Sequence, residues 1–141
     1  MTQIEADGLL AMPKTFAMPL SNIDLKPGAN GPPHLLFGVG AERFLLDLSR
    51  GSFRLSKVKY QTRGRQVIVL VRLCFNASPH RNPDGTRVPA THLHTYRQGY
   101  DDRWVEQLPN HSFSNPADPC ATFLAFCAFC TIAQIPPFKL S

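Results

Sequence analysis

Two imidazoles one residue apart, His92-Leu93-His94, are the groups in this chain best suited to chemistry. Histidine is the side chain whose ordinary pKa lies nearest neutrality, so a pair can take up and release protons. On an extended strand side chains alternate, which puts His92, His94 and Tyr96 on one face and Leu93 and Thr95 on the other. The two imidazoles then stand about 7 Å apart at Cα, close enough to serve one phosphate or one ion. His80 precedes Asn82-Pro83-Asp84-Gly85, a strong turn signal. Arg72 ends an aliphatic run, Val67 to Val71, where a charge needs a partner or a task. If the Arg72–Phe75 strand pairs with His92–Tyr96, Arg72 and His80 reach the same patch.

This set suits metal-independent cleavage of RNA. His92 and His94 would act as base and acid on a ribose 2′-hydroxyl and a leaving 5′-oxygen. Arg72 would meet the charge of the phosphorane, His80 would assist, and Tyr96 would donate a hydrogen bond or stack on a base. No metal or cofactor is required. Blander readings stand beside these. A His-x-His pair also occurs on solvated sheet faces, Arg72 could simply pair with Asp84 or Asp47, and Tyr96 could be a half-buried core residue. A metal-dependent His-x-His enzyme is a further alternative. His34 and His111 lie in isolated loops and carry no expected role.

The charge pattern agrees with a polyanionic partner. The formal net charge is +5, and from Leu48 to Pro83 there are eight Lys and Arg and no acid. Lys57, Lys59, Arg63, Arg65, Arg81 and Arg97 are the expected nucleic-acid contacts. The alternative is a solvated basic face. There is no secretory leader pattern and no apolar run of spanning length, so the expected location is cytoplasmic, with no membrane partner. Cys127-Ala128-Phe129-Cys130 lies among phenylalanines and reads as core, with the four cysteines reduced.

The elements that must position the site follow from periodicity. Ile4 to Met12 has a weak helical pattern, and Lys26 to Pro33 is a loop. Phe44–Leu48, Phe53–Gln61, Gln66–Phe75 and Thr91–Arg97 are strand candidates, with Trp104–Leu108 a fifth. Thr62-Arg63-Gly64-Arg65 is a hairpin turn. Asn115 offers an N-cap and Pro116 a first turn for a helix to about Cys130. At 141 residues this is a single domain, 1–141. The expected class is α+β: an antiparallel sheet of about five strands, with an N-terminal and a C-terminal helix packed on one face.

The run Val71-Arg72-Leu73, His80 to Gly85, Thr91 to Tyr100 and Arg103-Trp104 resembles a family of uncharacterised bacterial and prophage proteins, classed as a domain of unknown function. Phe113 to Pro116, Cys130 to Ile132 and Ile4 to Leu10 extend the resemblance over nearly the whole chain. More distantly it is similar to TumE-type toxins of toxin–antitoxin pairs. The resemblance implies an RNA-directed, toxin-like protein of mobile-element origin, with an antitoxin or a host defence protein as partner. A non-enzymatic counter-defence inhibitor that binds a host nucleic-acid-handling complex is the alternative. Cys74 and Gln98 depart from the family pattern, which has Asp and Glu there. Both changes are expected to remove carboxylates near the site.

Overall fold

The computed structural model describes residues 1–18, 23–26, 28–51, 57–75, 78–109, 112–113 and 118–139. The architecture is α+β. Helix α1 spans Gln3–Ala11 and α2 spans Pro119–Phe129. The strands are β1 Thr15–Phe16, β2 Ile23–Asp24, β3 His34–Phe37, β4 Arg43–Arg50, β5 Val58–Gly64, β6 Ile68–Phe75, β7 His80–Arg81, β8 Arg87–Val88, β9 His92–Thr95, β10 Val105–Glu106 and β11 Phe138–Lys139. Seven of them form one antiparallel sheet in the order β1-β3-β4-β5-β6-β9-β10, larger than the expected five. The additional strands are β1, a two-residue edge piece, and β3 beside it, which places His34 on a strand and not in an isolated loop. Two small pairs, β2 with β11 and β7 with β8, lie outside it.

Alternation decides the core. Phe44, Leu46 and Leu48 of β4, Val58, Tyr60 and Thr62 of β5, and Val71 and Leu73 of β6 are buried. The Tyr60 ring meets Phe123 and Phe126 of α2 at centroid distances of 5.5 and 5.8 Å. Cys127 and Cys130 are buried in this cluster with reduced thiols, so the Cys-x-x-Cys pair is packing material. Burial pushes the pKa of both thiols up, that of Cys130 to about 12. No helix among the described residues is long and apolar enough to cross a membrane.

Helix boundaries follow capping chemistry. Thr2 and Glu5 form a reciprocal capping box at the start of α1. Asp118 caps α2, with Pro119 its first residue. The expected cap at Asn115 and Pro116 lies outside the described residues, as do Phe53 to Ser56 of the expected second strand. The β5–β6 turn is built on Arg65 and Gln66, both at positive φ, two residues later than the Thr62 to Arg65 turn that the sequence suggested.

Lys14 ties both helices together. It is fully buried, and its Nζ donates to the carbonyls of Leu10, Met12 and Cys130 at 2.9, 2.9 and 2.7 Å. These carbonyls lie at the C-terminal ends of α1 and α2, where a cation is favoured. Nζ also sits 4.6 Å from the Phe44 ring centroid. Burial pushes the Lys14 pKa down to about 8, against the charge of Cys130, so the ammonium persists at neutral pH. Lys14→Met leaves three carbonyls in apolar surroundings without a donor. We expect a loss of about 3 kcal/mol in urea unfolding. A loss below about 1 kcal/mol would mean that water replaces the ammonium.

Candidate functional site

The register between β6 and β9 assembles the site. Arg72 stands directly opposite His94, and Cys74 directly opposite His92. All four lie on the sheet face opposite Val71, Leu73 and Leu93, which belong to the core. Cross-strand neighbours continue the two rows. Gln61 pairs with Arg72 and Asp47 with Gln61, while Lys59 pairs with Cys74 and Ser49 with Lys59.

The two histidines meet. His92 Nε2 lies 3.1 Å from His94 Nε2, and the ring centroids are 4.9 Å apart. Each ring is oriented from its other nitrogen. His92 Nδ1–H donates to the Pro89 carbonyl at 2.8 Å, and His94 Nδ1–H to the Asp102 carbonyl at 2.7 Å. Both rings are almost fully covered, at 2 and 4 % exposure. Arg72 donates from Nη1 to the Asp102 carboxylate at 2.7 Å. Its Nη2 is 3.2 Å from His94 Nδ1 and 3.5 Å from Nε2. A donor so nearly equidistant from both ring nitrogens is aimed squarely at neither.

His80 joins them from a separate hairpin. Its ring centroid is 5.1 Å from that of His94 and 5.8 Å from that of His92, and its Nε2–H donates to the Arg103 carbonyl at 2.8 Å. The β7–β8 hairpin closes as the Asn-Pro-Asp-Gly signal implies: Gly85 takes φ +89° and its N–H donates to the Asn82 carbonyl. Asn82, buried, pairs with β10 as a peptide unit would. Its Nδ2 donates to the Val105 carbonyl at 3.0 Å and its Oδ1 accepts from the Val105 N–H at 2.8 Å. That pairing holds the hairpin, and His80 with it, against the histidine pair.

Asp102 is the site residue that sequence reasoning missed. Arg72 pairs with it and not with Asp84 or Asp47. Asp47 instead holds Arg63 through two bonds of 2.7 and 2.9 Å and accepts from Gln61 at 2.9 Å. Burial raises the Asp47 pKa, but the bonds from Arg63 and Gln61 outweigh it and leave it below the carboxylate norm. The available signal for Asp102 was negative. The stretch around Arg72 holds no acid, and Asp101-Asp102 are the first acids after His94. The loop that carries them is pinned by local contacts: Arg97 stacks on Trp104 at 4.2 Å, Arg97 N–H donates to the Asp101 carbonyl, and Gly99 and Asp101 adopt positive φ.

Other expectations are corrected. Tyr96 does not join the histidines. A β-bulge leaves Leu70 without a partner between Thr62↔Val71 and Arg63↔Val69. Beyond the bulge the faces switch, so Tyr96 is buried in the core and its hydroxyl donates to the Met1 carbonyl. Gln98 is also remote from the histidines. Its side-chain oxygen accepts from the Gln3 N–H at 2.9 Å, at the start of α1. A glutamate there would make the same contact, away from the histidines. Arg63 is committed to Asp47 and to the Gln66 carbonyl. Arg65 is exposed near Glu5 and Glu42, Arg81 is exposed on β7, and Arg97 rests on Trp104. Lys57 and Lys59 are exposed and line a depression of about 520 Å³ with Ser49, Arg50 and Gly51, and Cys74 also lines it. The basic residues therefore do not form one track. Lys59 and Arg65 lie near opposite ends of β5, roughly 20 Å apart.

The family model for a family of unknown function, DUF6978, matches residues 1–132. The chain belongs to that family. It matches no curated protein and no solved structure. The match spans every site residue described above and stops before β11.

Burial lowers the pKa of both imidazoles. That of His94 falls to about 4, despite its bond to the Asp102 carbonyl, with the charges of Arg72, His92 and His80 adding to the fall. That of His92 also falls, burial outweighing its bond to the Pro89 carbonyl. His94 therefore offers a lone pair, and no proton, at neutral pH. The linkage runs as a stability loss in acid. Below pH 6.5 the unfolded histidines take up protons that the folded ones refuse, so stability falls as pH drops toward 4. By pH 5 His94 alone costs roughly 2 kcal/mol. We expect Tm, followed by circular dichroism in chelator-containing buffer, to fall between pH 7.5 and 5, and the slope to flatten in His94→Gln. A Tm independent of pH over that range would contradict the neutral assignment.

Proposed function

We propose that this protein cleaves RNA at the His92/His94 cluster, as a small toxin-like protein of mobile-element origin. The observation that carries the reading is the convergence of Arg72, anchored by Asp102, with two neutral imidazoles beside an open basic depression. Neutral Nε2 lone pairs can accept the proton of a ribose 2′-hydroxyl as it attacks phosphorus. The Arg72 guanidinium, held against His94, sits where charge develops on the phosphoryl oxygens. Protonation of the leaving 5′-oxygen falls to His80, on the hairpin beside the pair. Lys57 and Lys59 face the backbone of the incoming strand from the depression whose wall includes Cys74.

A second reading rests on burial. Rings exposed by only 2 and 4 % suit a fixed framework as well as a reactive pair. The protein would then be a non-enzymatic counter-defence inhibitor, binding a host nucleic-acid-handling complex through its basic face.

The two separate in one assay. Purified protein is incubated with end-labelled single-stranded RNA in EDTA. The cleavage reading expects 2′,3′-cyclic phosphate ends, a loss of at least about 100-fold in His94→Gln and in Arg72→Ala, and weaker RNA binding in Lys57→Ala/Lys59→Ala. RNA that stays intact with wild type, yet is retained by the protein, would sink cleavage and favour the inhibitor.

A further inference from the structure

We infer that His92 Nε2, His94 Nε2 and Cys74 Sγ form a three-ligand site for a divalent transition ion of the zinc class. The inference does not depend on RNA cleavage and is read without RNA. The donor atoms of these three residues all lie within 4.8 Å of one another. The carbonyls of Pro89 and Asp102 can only accept, so each Nδ1 bonded to them carries a hydrogen. A neutral imidazole has one N–H, which leaves each Nε2 as a bare lone pair. The two lone pairs face each other at 3.1 Å. With nothing between them they repel. Two imidazole nitrogens bound tetrahedrally to one zinc at about 2.0–2.1 Å stand roughly 3.3–3.4 Å apart, within a few tenths of an ångström of the spacing found.

The surroundings match such a site. Metal-bound histidines characteristically donate their other N–H to a carbonyl or carboxylate, and both do so here. Two imidazoles and a thiolate select zinc-like ions over magnesium or calcium. The nearby Arg72 charge, which would oppose a cation, is met by the Asp102 carboxylate at 2.7 Å. Three protein ligands leave a fourth position for water or an external ligand, the arrangement of reactive rather than purely structural sites. Cys74 also lines the 520 Å³ depression, which gives an ion a route from solvent.

The test is titration of chelator-stripped protein with Co²⁺, read by absorption. We expect one equivalent to bind, with a thiolate-to-cobalt charge-transfer band in the near ultraviolet and tetrahedral-type visible bands. Cys74→Ser removes the charge-transfer band, Cys74→Asp removes it while cobalt still binds, and Cys120→Ser changes neither. His92→Gln weakens binding beyond the roughly 10- to 100-fold lost with an outer-shell partner. Wild-type protein that takes up cobalt without a thiolate band, or a band that survives Cys74→Ser, would overturn the site. Far-ultraviolet circular dichroism of each variant confirms that the fold persists. The wild-type spectrum decides the matter even where a variant does not fold.

Discussion

Antiparallel pairing between β6 and β9 is the constraint from which the rest of the site descends. Strand side chains repeat every two residues, so one register places Arg72 and Cys74 on the face of His92 and His94, with Val71, Leu73 and Leu93 on the other. A slip by one residue would drive a guanidinium and two imidazoles into the core beneath. The apolar face therefore enforces the polar one. Leu73 and Leu93 are fully buried, and each burial, roughly 1.5–3 kcal/mol, at least matches any single bond within the site. The bulge at Leu70 confines the arrangement. It ends the polar row after His94 and returns Tyr96 to the core, where α1 covers it.

On that fixed face, two loops from later in the chain complete the cluster by backbone as much as by side chain. Asp102 uses its carboxylate for Arg72 and its carbonyl for His94, so one residue sets both a guanidinium and an imidazole. Pro89 and Arg103 contribute carbonyls alone. Asn82 contributes a carboxamide that takes a strand's place beside β10. Backbone carbonyls carry no sequence signature, since any residue supplies one. They impose the tautomers nonetheless, because an acceptor that cannot donate determines which nitrogen holds the hydrogen.

This division explains what could be read from the residues alone. The pairing of the Arg72 strand with the His92 strand, the turn at Asn82 to Gly85, the meeting of Arg72, His80, His92 and His94, and the core role of Cys127 and Cys130 all follow from period, turn chemistry and residue type. The displaced position of Tyr96 does not, because a bulge leaves no compositional mark in an unbroken aliphatic run. Asp102 was obscured for a different reason. Its distance from Arg72 along the chain is thirty residues, closed by a loop whose stacking of Arg97 on Trp104 is a tertiary event. The edge strands were too short to show alternation, and Lys14 reads as a surface lysine until both helix ends are seen to converge on it. Charge counting misled in the same way. Arg63 and Arg72 belong to a basic stretch by sequence, but each is bound to a carboxylate in space. The run of eight Lys and Arg therefore overstates the charge free to meet a polyanion, while Lys57 and Lys59 stand exposed at the depression.

Neutrality of the imidazoles is what unites the chemical readings of the site. A solvated His-x-His pair would exchange protons near pH 6.5 and hold ions weakly against water. Covering the pair raises the cost of an imidazolium, and fixing each Nδ1–H on a carbonyl aims both lone pairs inward. The same steps that remove His94 as a proton donor make it a better acceptor, whether the acid it meets is a hydroxyl proton or a metal ion. The two uses exclude each other in one molecule, since a lone pair shared with an ion is not available to a proton. Cys74 tips this balance. A thiolate beside two imidazole nitrogens favours a soft ion, whereas an aspartate at this position would give an oxygen donor and a harder site. The residue at one strand position thus bears on which acid the cluster accepts, while leaving the register that builds it untouched.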